Sequence, residues 1–443
     1  MHILFFSHYF PPEGNAPASR TYEHSVRWVR AGHAVTVITG VPNVPNGVAY
    51  DGYRNRLWPQ SEMIDGIRVI RVWTLLSPNA GHVKRILNYL SFLFTAILSG
   101  LFVKRPDVII ATSPQFFCGW AGVVVQALRR LPFVLEIRDI WPESIEAVGA
   151  MRSGVLIRIL RRMEVMMYRS ADHIVAVGNG YRDNVAAKLG TADSISVIYN
   201  GVDGDQFQPL PADPVFLESV GFQGRFVCSY VGTIGMAHGL ETVLDAAELL
   251  RDRGRDDIRF LLVGDGARRK ELEHAAIERG LDDMVRFTGL LSKSEIPQVI
   301  ASSACLLVHL RACDLFSTVI PSKIFEAMAM QRPIIMGVRG ESAEIVKEAD
   351  AGLTMIPGDA ESLVNCVTRL CDDRSLYESL QTNGRQFVLN RFSRDRFAND
   401  YLELLGKTAG GIGSRVAGPD AAIRPDEPEE NLAAPDATQN SNS

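Results

Sequence analysis

Short apolar runs rich in β-branched residues alternate with longer amphipathic stretches through the first half of the chain. The runs occupy 2–6, 34–39, 67–72, 107–112, 132–137, 172–177 and 195–199. A helix is predicted over 18–31, and Gly32 ends it. Strands and helices that alternate in this way predict βα units and a largely parallel sheet.

The same alternation resumes in the second half and predicts a second sheet. Its apolar runs occupy 226–231, 258–263, 285–289, 304–308 and 333–338. Between the halves, residues 200–224 break the periodicity with Asn-Gly and several prolines, as a linker does. The expected fold class is α/β, with two doubly wound parallel-sheet domains facing a cleft. Ligands bind such sheets outside the carboxyl ends of the strands, so the cleft is the expected site.

The domain boundaries expected from this pattern are 1–200 and 201–393. A last helix is predicted over 394–405 and is expected to cross back to the first domain. Residues 408–443 are dominated by Gly, Ala, Pro, Asp, Glu and Asn, which predicts a disordered acidic tail that carries most of the net charge.

Composition narrows the class of protein. The chain has 443 residues, 47% of them hydrophobic and 22% charged, which is ordinary for soluble domains with sizeable cores. The net charge of −5 gives no reason to expect a nucleic-acid partner. The six cysteines form no CxxC pair and lack Cys-His metal spacing, so free thiols in a reducing cytosol are expected. The opening run 2–6 has no cationic region before it and is interpreted as a strand, not a signal peptide.

Residues 86–103 form an apolar segment of nearly membrane-spanning length. Lys84 and Arg85 precede it, and Lys104 and Arg105 follow it. Three interpretations stay open: a buried helix of an α/β domain, a helix with one face in a membrane surface, and a true span. The basic flanks favour contact with anionic lipid.

Three glycine-bearing loops follow strands of the second sheet. They lie at 232–239, 264–266 and 337–342. Glycine lets backbone amides approach a phosphate, although each loop taken alone could be a plain βα turn. Because the carboxyl ends of parallel strands share one edge, the three loops are expected to meet at one cleft.

A fourth segment carries side chains suited to a nucleotide. Pro321 is expected in the first turn of a helix, with Ser322 and Lys323 beside its positive end. Their hydroxyl and ammonium groups can donate to a diphosphate, and Glu326, one turn later, can accept from a ribose diol. The alternative is a surface ion pair between Lys323 and Glu326.

Many short motifs occur in the order found in one family. The second half resembles the donor domain of family-four retaining GT-B glycosyltransferases through NGVD at 200–203, VGDG at 263–266, VRFTG at 285–289 and FEAMAMQRPII at 325–335. The first half resembles the WbuB-like branch, which assembles bacterial surface polysaccharides, through HYFPPEGNAPASR at 8–20, GHAVTVITGVPNVPNG at 32–47, ATSP at 111–114 and EIRDIWPES at 136–144. The resemblance covers roughly 1–405 and implies an acceptor-binding domain over 1–200 and a donor-binding domain over 201–393.

The resemblance implies roles for particular residues. Glu326 would hold the ribose, Gly14 would pack its backbone against the diphosphate, and Asp139 and Arg138 would face the acceptor as catalytic residues with Lys323. The donor pocket expected on this basis is lined by Ser322, Gly235, Gly264, Asp265, Gly266, Gly289, Arg339 and Glu344.

The chain departs from the family pattern at two places. The family often shows E-x7-E, but Thr318 stands where the first glutamate is expected. The loop 232–239 also lacks the Arg and Lys with which many relatives neutralise the diphosphate. Lys323, with Arg339 or Arg311, is inferred to supply that charge, and the alternative is a weakened or dead site.

No metal and no cofactor are expected. Asp203-Gly204-Asp205 spells DxD, which binds Mn²⁺ in a different transferase fold, but here it falls in the linker and is interpreted as a solvated turn.

The expected activity is transfer of a sugar from a nucleotide diphosphate, a UDP-sugar with N-acetylated aminosugars among the candidates. The expected acceptor is a polyprenyl-diphosphate-linked sugar at the inner face of a bacterial membrane, in synthesis of O-antigen, capsule or exopolysaccharide. The enzyme would be cytoplasmic and peripherally attached to that membrane. Two rival functions are a UDP-sugar 2-epimerase of similar fold and a catalytically silent scaffold of a membrane assembly complex.

Overall fold

The computed structural model describes residues 1–44, 46–76, 82–113, 115–147 and 154–416. The strands are β1 (His2–Phe6), β2 (Ala34–Gly40), β3 (Gln60–Ile64), β4 (Ile67–Val72), β5 (Val108–Thr112), β6 (Phe133–Ile137), β7 (His173–Ala176), β8 (Ile195–Val197), β9 (Phe226–Val231), β10 (Ile258–Val263), β11 (Val285–Gly289), β12 (Cys305–His309), β13 (Ile334–Gly337) and β14 (Gly352–Thr354).

The strands are separated mostly by α-helices. These are α1 (Ala16–Arg30), α2 (His82–Phe102), α3 (Phe116–Arg129), α4 (Glu143–Ala147), α5 (Val155–Arg169), α6 (Asn179–Leu189), α7 (Pro214–Ser219), α8 (Glu241–Asp252), α9 (Arg269–Glu278), α10 (Ile296–Ser302), α11 (Lys323–Ala329), α12 (Glu341–Glu348), α13 (Ala360–Asp372), α14 (Arg374–Arg391) and α15 (Arg394–Val416). Short 3-10 turns occupy Met236–His238 and Asp314–Thr318.

The strands form two sheets, one from each half of the chain. The first has the order β3-β4-β2-β1-β5-β6-β7-β8 and the second β11-β10-β9-β12-β13-β14. Both are parallel except for β3, which runs antiparallel to β4. This is the α/β architecture of two doubly wound domains that the apolar pattern predicts.

Side chains of the first sheet alternate between two helical layers. Phe5 packs with Trp28 of α1 and Tyr401 of α15 on one face. Phe6 packs with Phe92 of α2 and Phe133 of β6 on the other. Period-two alternation along β1 therefore buries both faces, as a central parallel strand requires.

Helix α2 covers the sheet with one face only. Phe92 and Ala96 are fully buried, whereas Phe94, Leu98 and Phe102 are 68%, 58% and 82% exposed. The segment is therefore neither wholly buried within the domain nor separate from it. In the described part of the chain, 84–102 is the one helix long and apolar enough to cross a bilayer by length and composition alone.

Two chain segments cross between the domains side by side. The Val202 amide donates to the Phe392 carbonyl at 2.8 Å, and the Arg394 amide donates to the Val202 carbonyl at 3.0 Å. Phe392 also stacks on Phe325 of the second domain, with 4.7 Å between ring centroids. The second domain therefore enters and leaves through one paired connection.

Helix α1 holds both crossings through charged side chains. Arg27 pairs with Asp203 at 2.6 Å and also with Asp395, while Glu23 pairs with Arg394 at 2.9 Å. Residues 23 and 27 lie one turn apart, so one face of α1 anchors both segments.

The final helix is longer than the sequence predicts. It was expected over 394–405, but α15 continues to Val416, so residues 408–416 of the predicted disordered tail are helical. Each added residue of an established helix gains a hydrogen bond at little extra cost, which lets the helix extend past its packed part. Residues 417–443 lie outside the described part.

Candidate active site

Two of the three predicted glycine loops, 232–239 and 264–266, interlock with each other and with Gly289 at the carboxyl edge of the second sheet. The Gly232 amide donates to the Val263 carbonyl at 2.8 Å, and the Gly264 amide donates to the Gly289 carbonyl at 2.9 Å. A Cβ on Gly264 would lie 2.0 Å from the Gly232 carbonyl oxygen, and one on Gly266 would lie 2.4 Å from the Ile234 oxygen. These glycines are required first for packing between the loops, which form one continuous floor.

Lys323 stands over this floor without a carboxylate partner. Its ammonium lies 3.8 Å from the centroid of the Tyr230 ring, and a Cβ on Gly232 would come within 3.0 Å of its Nζ. Burial lowers the pKa of Lys323 to about 7, and the Glu326 charge opposes that shift. Within the described ranges no ion pair joins Lys323 to Glu326 or to any other residue, so the surface-pair alternative is wrong.

Glu326 occupies the next turn of the same helix and is half-buried. Burial raises the pKa of its carboxyl group, and Arg394, Lys323 and Lys293 oppose that effect. Ser322 is the N-cap of α11, and the helix begins at Lys323, so Pro321 lies just before the helix and not in its first turn as predicted.

The other cations expected near the diphosphate behave differently from one another. Arg311 pairs with Glu241 at the start of α8 and is therefore occupied. Arg339 is exposed and has no carboxylate partner among the described residues. His238 accepts a hydrogen bond from the Gly235 amide at 3.2 Å, and burial with the nearby Lys323 charge lowers its pKa to about 4. A neutral His238 that closes its own loop cannot replace a cation.

The carboxylates of Asp265 and Glu344 lack contacts that would identify them as donor-binding groups among the described residues. Asp265 accepts from the Gly266 amide at 2.8 Å and pairs with Arg269 at 2.9 Å. Its carboxylate closes the turn. Glu344 is exposed on α12, one turn after Gly340, whose missing Cβ permits close contact with the Ser317 carbonyl.

The acceptor-side residues lie at the carboxyl edge of the first sheet. Gly14 is exposed and has open space around its Cα. Arg138 donates to the Ala16 carbonyl at 3.1 Å, while its buried Nε and Nη1 have no partner among the described residues. Burial lowers the pKa of Arg138 to about 10.

Asp139 is half-buried beside Arg138. Ser144 donates to its carboxylate at 3.1 Å, and burial raises the pKa of Asp139 to about 6. Among the described residues, no hydrogen bond or ion pair joins Asp139 to a predicted donor-site side chain, so the predicted catalytic residues divide between the two domains.

Lys293 and Glu341 join the two domains and were not predicted as site residues from the sequence. Lys293 follows β11 and donates to Ser19 of α1 in the other domain. Glu341, at the start of α12, accepts hydrogen bonds from α6 of the other domain. Both contacts join residues far apart in the chain, so neither has a local signal in the sequence.

Possible metal ligands lie elsewhere. In the described residues, one group with suitable spacing comprises Asp257, Cys371 and Asp372. Asp257 precedes β10, at the edge opposite the cleft, and Arg255 pairs with both aspartates. The Asp203 carboxylate of the DxD sequence accepts from two backbone amides and pairs with Arg27, so it stabilises a turn of the linker.

Comparison with known families assigns the two halves of the chain. Residues 217–387 match the family of glycosyl transferases group 1, and residues 15–201 match a glycosyl transferase 4-like domain. The chain is a group 1 glycosyltransferase.

Curated relatives of this group 1 glycosyltransferase include bacterial proteins. A probable glycosyltransferase, WbjE of Pseudomonas aeruginosa, is 27% identical over 290 residues, which cover 64% of this chain and 70% of that protein. WcaI of Escherichia coli K12, described as a putative colanic acid biosynthesis glycosyl transferase, is 25% identical and covers 83% of this chain and 88% of its own.

The fold of this group 1 glycosyltransferase is GT-B. The crystal structure of Anabaena HepE in complex with UDP and glucose aligns with a TM-score of 0.67 at 19% identity, over 91% of this chain and 99% of that one.

Proposed function

We propose that this enzyme transfers a sugar from a nucleotide diphosphate to an acceptor hydroxyl with retention of configuration. The unpaired Lys323 ammonium over the glycine floor carries the proposal, because it offers an anion a charged donor beside backbone amides. The similarity to a structure that contains UDP supports a UDP-sugar as donor. The similarity to WcaI, described as a putative colanic acid biosynthesis glycosyl transferase, supports a role in bacterial polysaccharide synthesis. The proposed WbuB-like branch and the proposed product, an O-antigen, capsule or exopolysaccharide, rest on the motifs of the first half.

The proposed step breaks the bond between the anomeric carbon and the donor phosphate oxygen. A bond from the same face of that carbon to the acceptor oxygen forms, and the acceptor proton passes to the departing phosphate oxygen. Lys323 would stabilise the charge that develops on the diphosphate, which removes any need for a metal or cofactor. Glu326 would accept from the ribose hydroxyls.

Asp139 and Arg138 are proposed to serve the acceptor. The raised pKa of Asp139, about 6, leaves a carboxylate at neutral pH that can orient an acceptor hydroxyl. Arg138 keeps its positive charge at neutral pH, because its lowered pKa is still about 10, and that charge suits an anionic acceptor group such as the diphosphate of a polyprenyl carrier.

Titration calorimetry with UDP tests the donor site directly. Wild-type protein is expected to bind UDP, and Lys323→Ala and Glu326→Ala are each expected to lower turnover at least ~100-fold. Lys270→Ala, an exposed lysine of the same domain, is the control and should keep normal turnover. No binding at millimolar UDP would support the silent scaffold instead. Net interconversion of free UDP-sugars without an acceptor would support the epimerase. A panel of nucleotide sugars with membrane extract would identify the donor.

The acceptor domain carries a surface suited to the inner face of a membrane, where we place the enzyme. Helices α2, α3 and α5 form one layer of the domain. Its exposed apolar side chains are Leu87, Phe94, Leu98, Phe102, Leu128, Val155, Leu156, Ile159 and Met166. Its exposed cations are Lys84, Arg85, Lys104, Arg105, Arg130, Arg158, Arg161, Arg162 and Arg169. Apolar side chains ringed by cations suit anionic lipid, which would bring a lipid-linked acceptor to the cleft.

Cosedimentation with vesicles containing anionic lipid tests this surface. Replacement of Phe94, Leu98 and Phe102 by serine is expected to weaken binding at least about tenfold, because three buried apolar side chains would be lost from the lipid. The control is Ile277→Ser in the donor domain, where the side chain is 63% exposed. Equal binding of the triple variant and wild type would refute the surface.

A further inference from the structure

The two domains also meet beside the paired crossings, where the Tyr199 ring lies 5.3 Å from that of Phe392. The Glu341 carboxylate of the donor domain accepts from Asn179 Nδ2 at 2.6 Å and from the Tyr199 hydroxyl at 2.7 Å. Its other oxygen accepts from the Gly180 amide at 3.2 Å. All three donors belong to the first domain, so one carboxylate of the second domain receives all three hydrogen bonds.

The contact completes the first turn of helix α6. Gly178 is the N-cap of α6 and offers no side-chain oxygen to the free amides of that turn. Glu341 supplies the missing acceptor and places a negative charge at the positive end of the helix. Helix α6 is therefore capped by a residue of the other domain, and the cap exists only while the domains are together.

The surrounding surfaces fit closely because Gly178 and Gly180, on either side of Asn179, have no side chain. A Cβ on Gly178 would lie 2.7 Å from Ile320, and one on Gly180 would lie 2.8 Å from the Cβ of Thr318 and 3.0 Å from its Cα. Thr318 is the position where the family pattern expects a glutamate, and here its short side chain packs on α6. Ile320 stands just before Lys323, so the contact abuts the donor site.

We propose that Glu341 is a positioning residue that latches the acceptor domain onto the donor domain. This inference rests on the proposed transfer reaction. The latch sets the distance between Asp139 on one domain and Lys323 on the other, because α6 and the segment 318–323 are held together at the mouth of the cleft. Loss of the latch leaves each half-site intact and lowers the fraction of molecules in which the two halves face each other.

Hydrogen exchange of the free protein tests the latch without any substrate. In Glu341→Ala, amides in the first turn of α6 are expected to exchange about fivefold faster, the effect of a lost helix cap. Gly180→Ala should do the same, because its Cβ would push Thr318 away. Glu348→Ala is the matched control, since it removes an exposed glutamate of the same helix that pairs with Arg391. Unchanged exchange in Glu341→Ala, or an equal rise in Glu348→Ala, would refute the latch.

Kinetics then separate positioning from binding. Glu341→Ala is expected to keep its UDP affinity within about twofold in calorimetry, because the donor floor is untouched, while kcat for transfer falls about fivefold. Tyr199→Phe, which removes one donor, should give a smaller fall in kcat. A loss of UDP affinity equal to the loss in kcat would place Glu341 in the donor pocket instead. Failure of the wild type to bind UDP would overturn the transfer reaction and leave the exchange result standing.

Discussion

The burial of Lys323 is expected to make UDP binding depend on pH. Burial lowers its pKa to about 7, so its charge is present below that pH and lost above it. A diphosphate is fully ionised above about pH 7.5, since its last pKa is near 6. UDP affinity is therefore expected to fall with rising pH, by up to about tenfold per unit between about pH 7.5 and 9. Calorimetry over that range measures it.

Lys323→Arg gives a check on this cause, because a guanidinium stays charged at every pH used. That variant should bind UDP with little change over the same range. An unchanging affinity in the wild type would mean that the Lys323 ammonium does not meet the diphosphate, because a ligand that retains the proton on Lys323 must bind more weakly as the pH rises.

The surroundings of Asp203 indicate that its carboxylate does not bind a metal ion. Its carboxylate is already engaged by Arg27 and by the amides of Asp205 and Gln206. We expect that 10 mM EDTA, in excess over any trace divalent cation by about 1,000-fold, leaves turnover within about twofold of the untreated enzyme. Full loss of activity, restored by Mn²⁺, would contradict this expectation.

The sequence predicts the site residues that share one local segment, and it does not predict those that meet only through the fold. Glu326 and Lys323 belong to one short segment, so their spacing on a helix is local information. Tyr230 contacts Lys323, which is 93 positions away in the chain. Glu341 contacts Asn179, which is 162 positions away. Such contacts depend on how the domains pack, and no periodicity along the chain records them.

At the scale of elements, strands with an apolar run were predictable, including the edge strands β8 and β11, whereas β3 and β14 were not. Strands β1 and β5 are continuous apolar runs because both of their faces are covered. Strand β3 reads QSEMI, alternates between exposed and half-buried positions, and is fixed by its hairpin with β4. Strand β14 has three residues, and a segment of that length is too short to show the two-residue alternation of a strand.

Helix α3 lies close to the sheet because glycine stands at two positions of its buried face. A Cβ on Gly122 would come within 2.6 Å of the Phe133 ring and 2.7 Å of Ala111. Gly122→Ala is expected to lower the free energy of unfolding by about 1–3 kcal/mol, the usual cost of overpacking. Denaturant titration measures the change.

Gly406 provides the matched control in another helix. A Cβ at Gly406 would meet nothing within 4 Å, so Gly406→Ala should raise the free energy of unfolding by up to about 1 kcal/mol. If both substitutions had the same sign, close packing of α3 would not explain the effect.

The whole molecule depends on its last helix, which belongs spatially to the first domain. Trp28 of α1 donates to the Ala398 carbonyl at 2.9 Å, and its ring lies 5.3 Å from that of Tyr401. A chain cut after Ser393 should expose this aromatic surface and fail to give a cooperative unfolding transition. A chain cut after Val416 should unfold like the full protein. Circular dichroism with thermal unfolding distinguishes the two, and a stable shorter product would refute the dependence.

The paired crossings at Val202 and Ser393 have a consequence for how such enzymes diversify. A domain whose two connections to its neighbour lie side by side is, in structural terms, an insertion in that neighbour. Replacement of the second domain by another requires only that the two ends of the new domain contact the charged face of α1. Acceptor recognition and sugar choice can then be recombined as modules, without rebuilding either sheet.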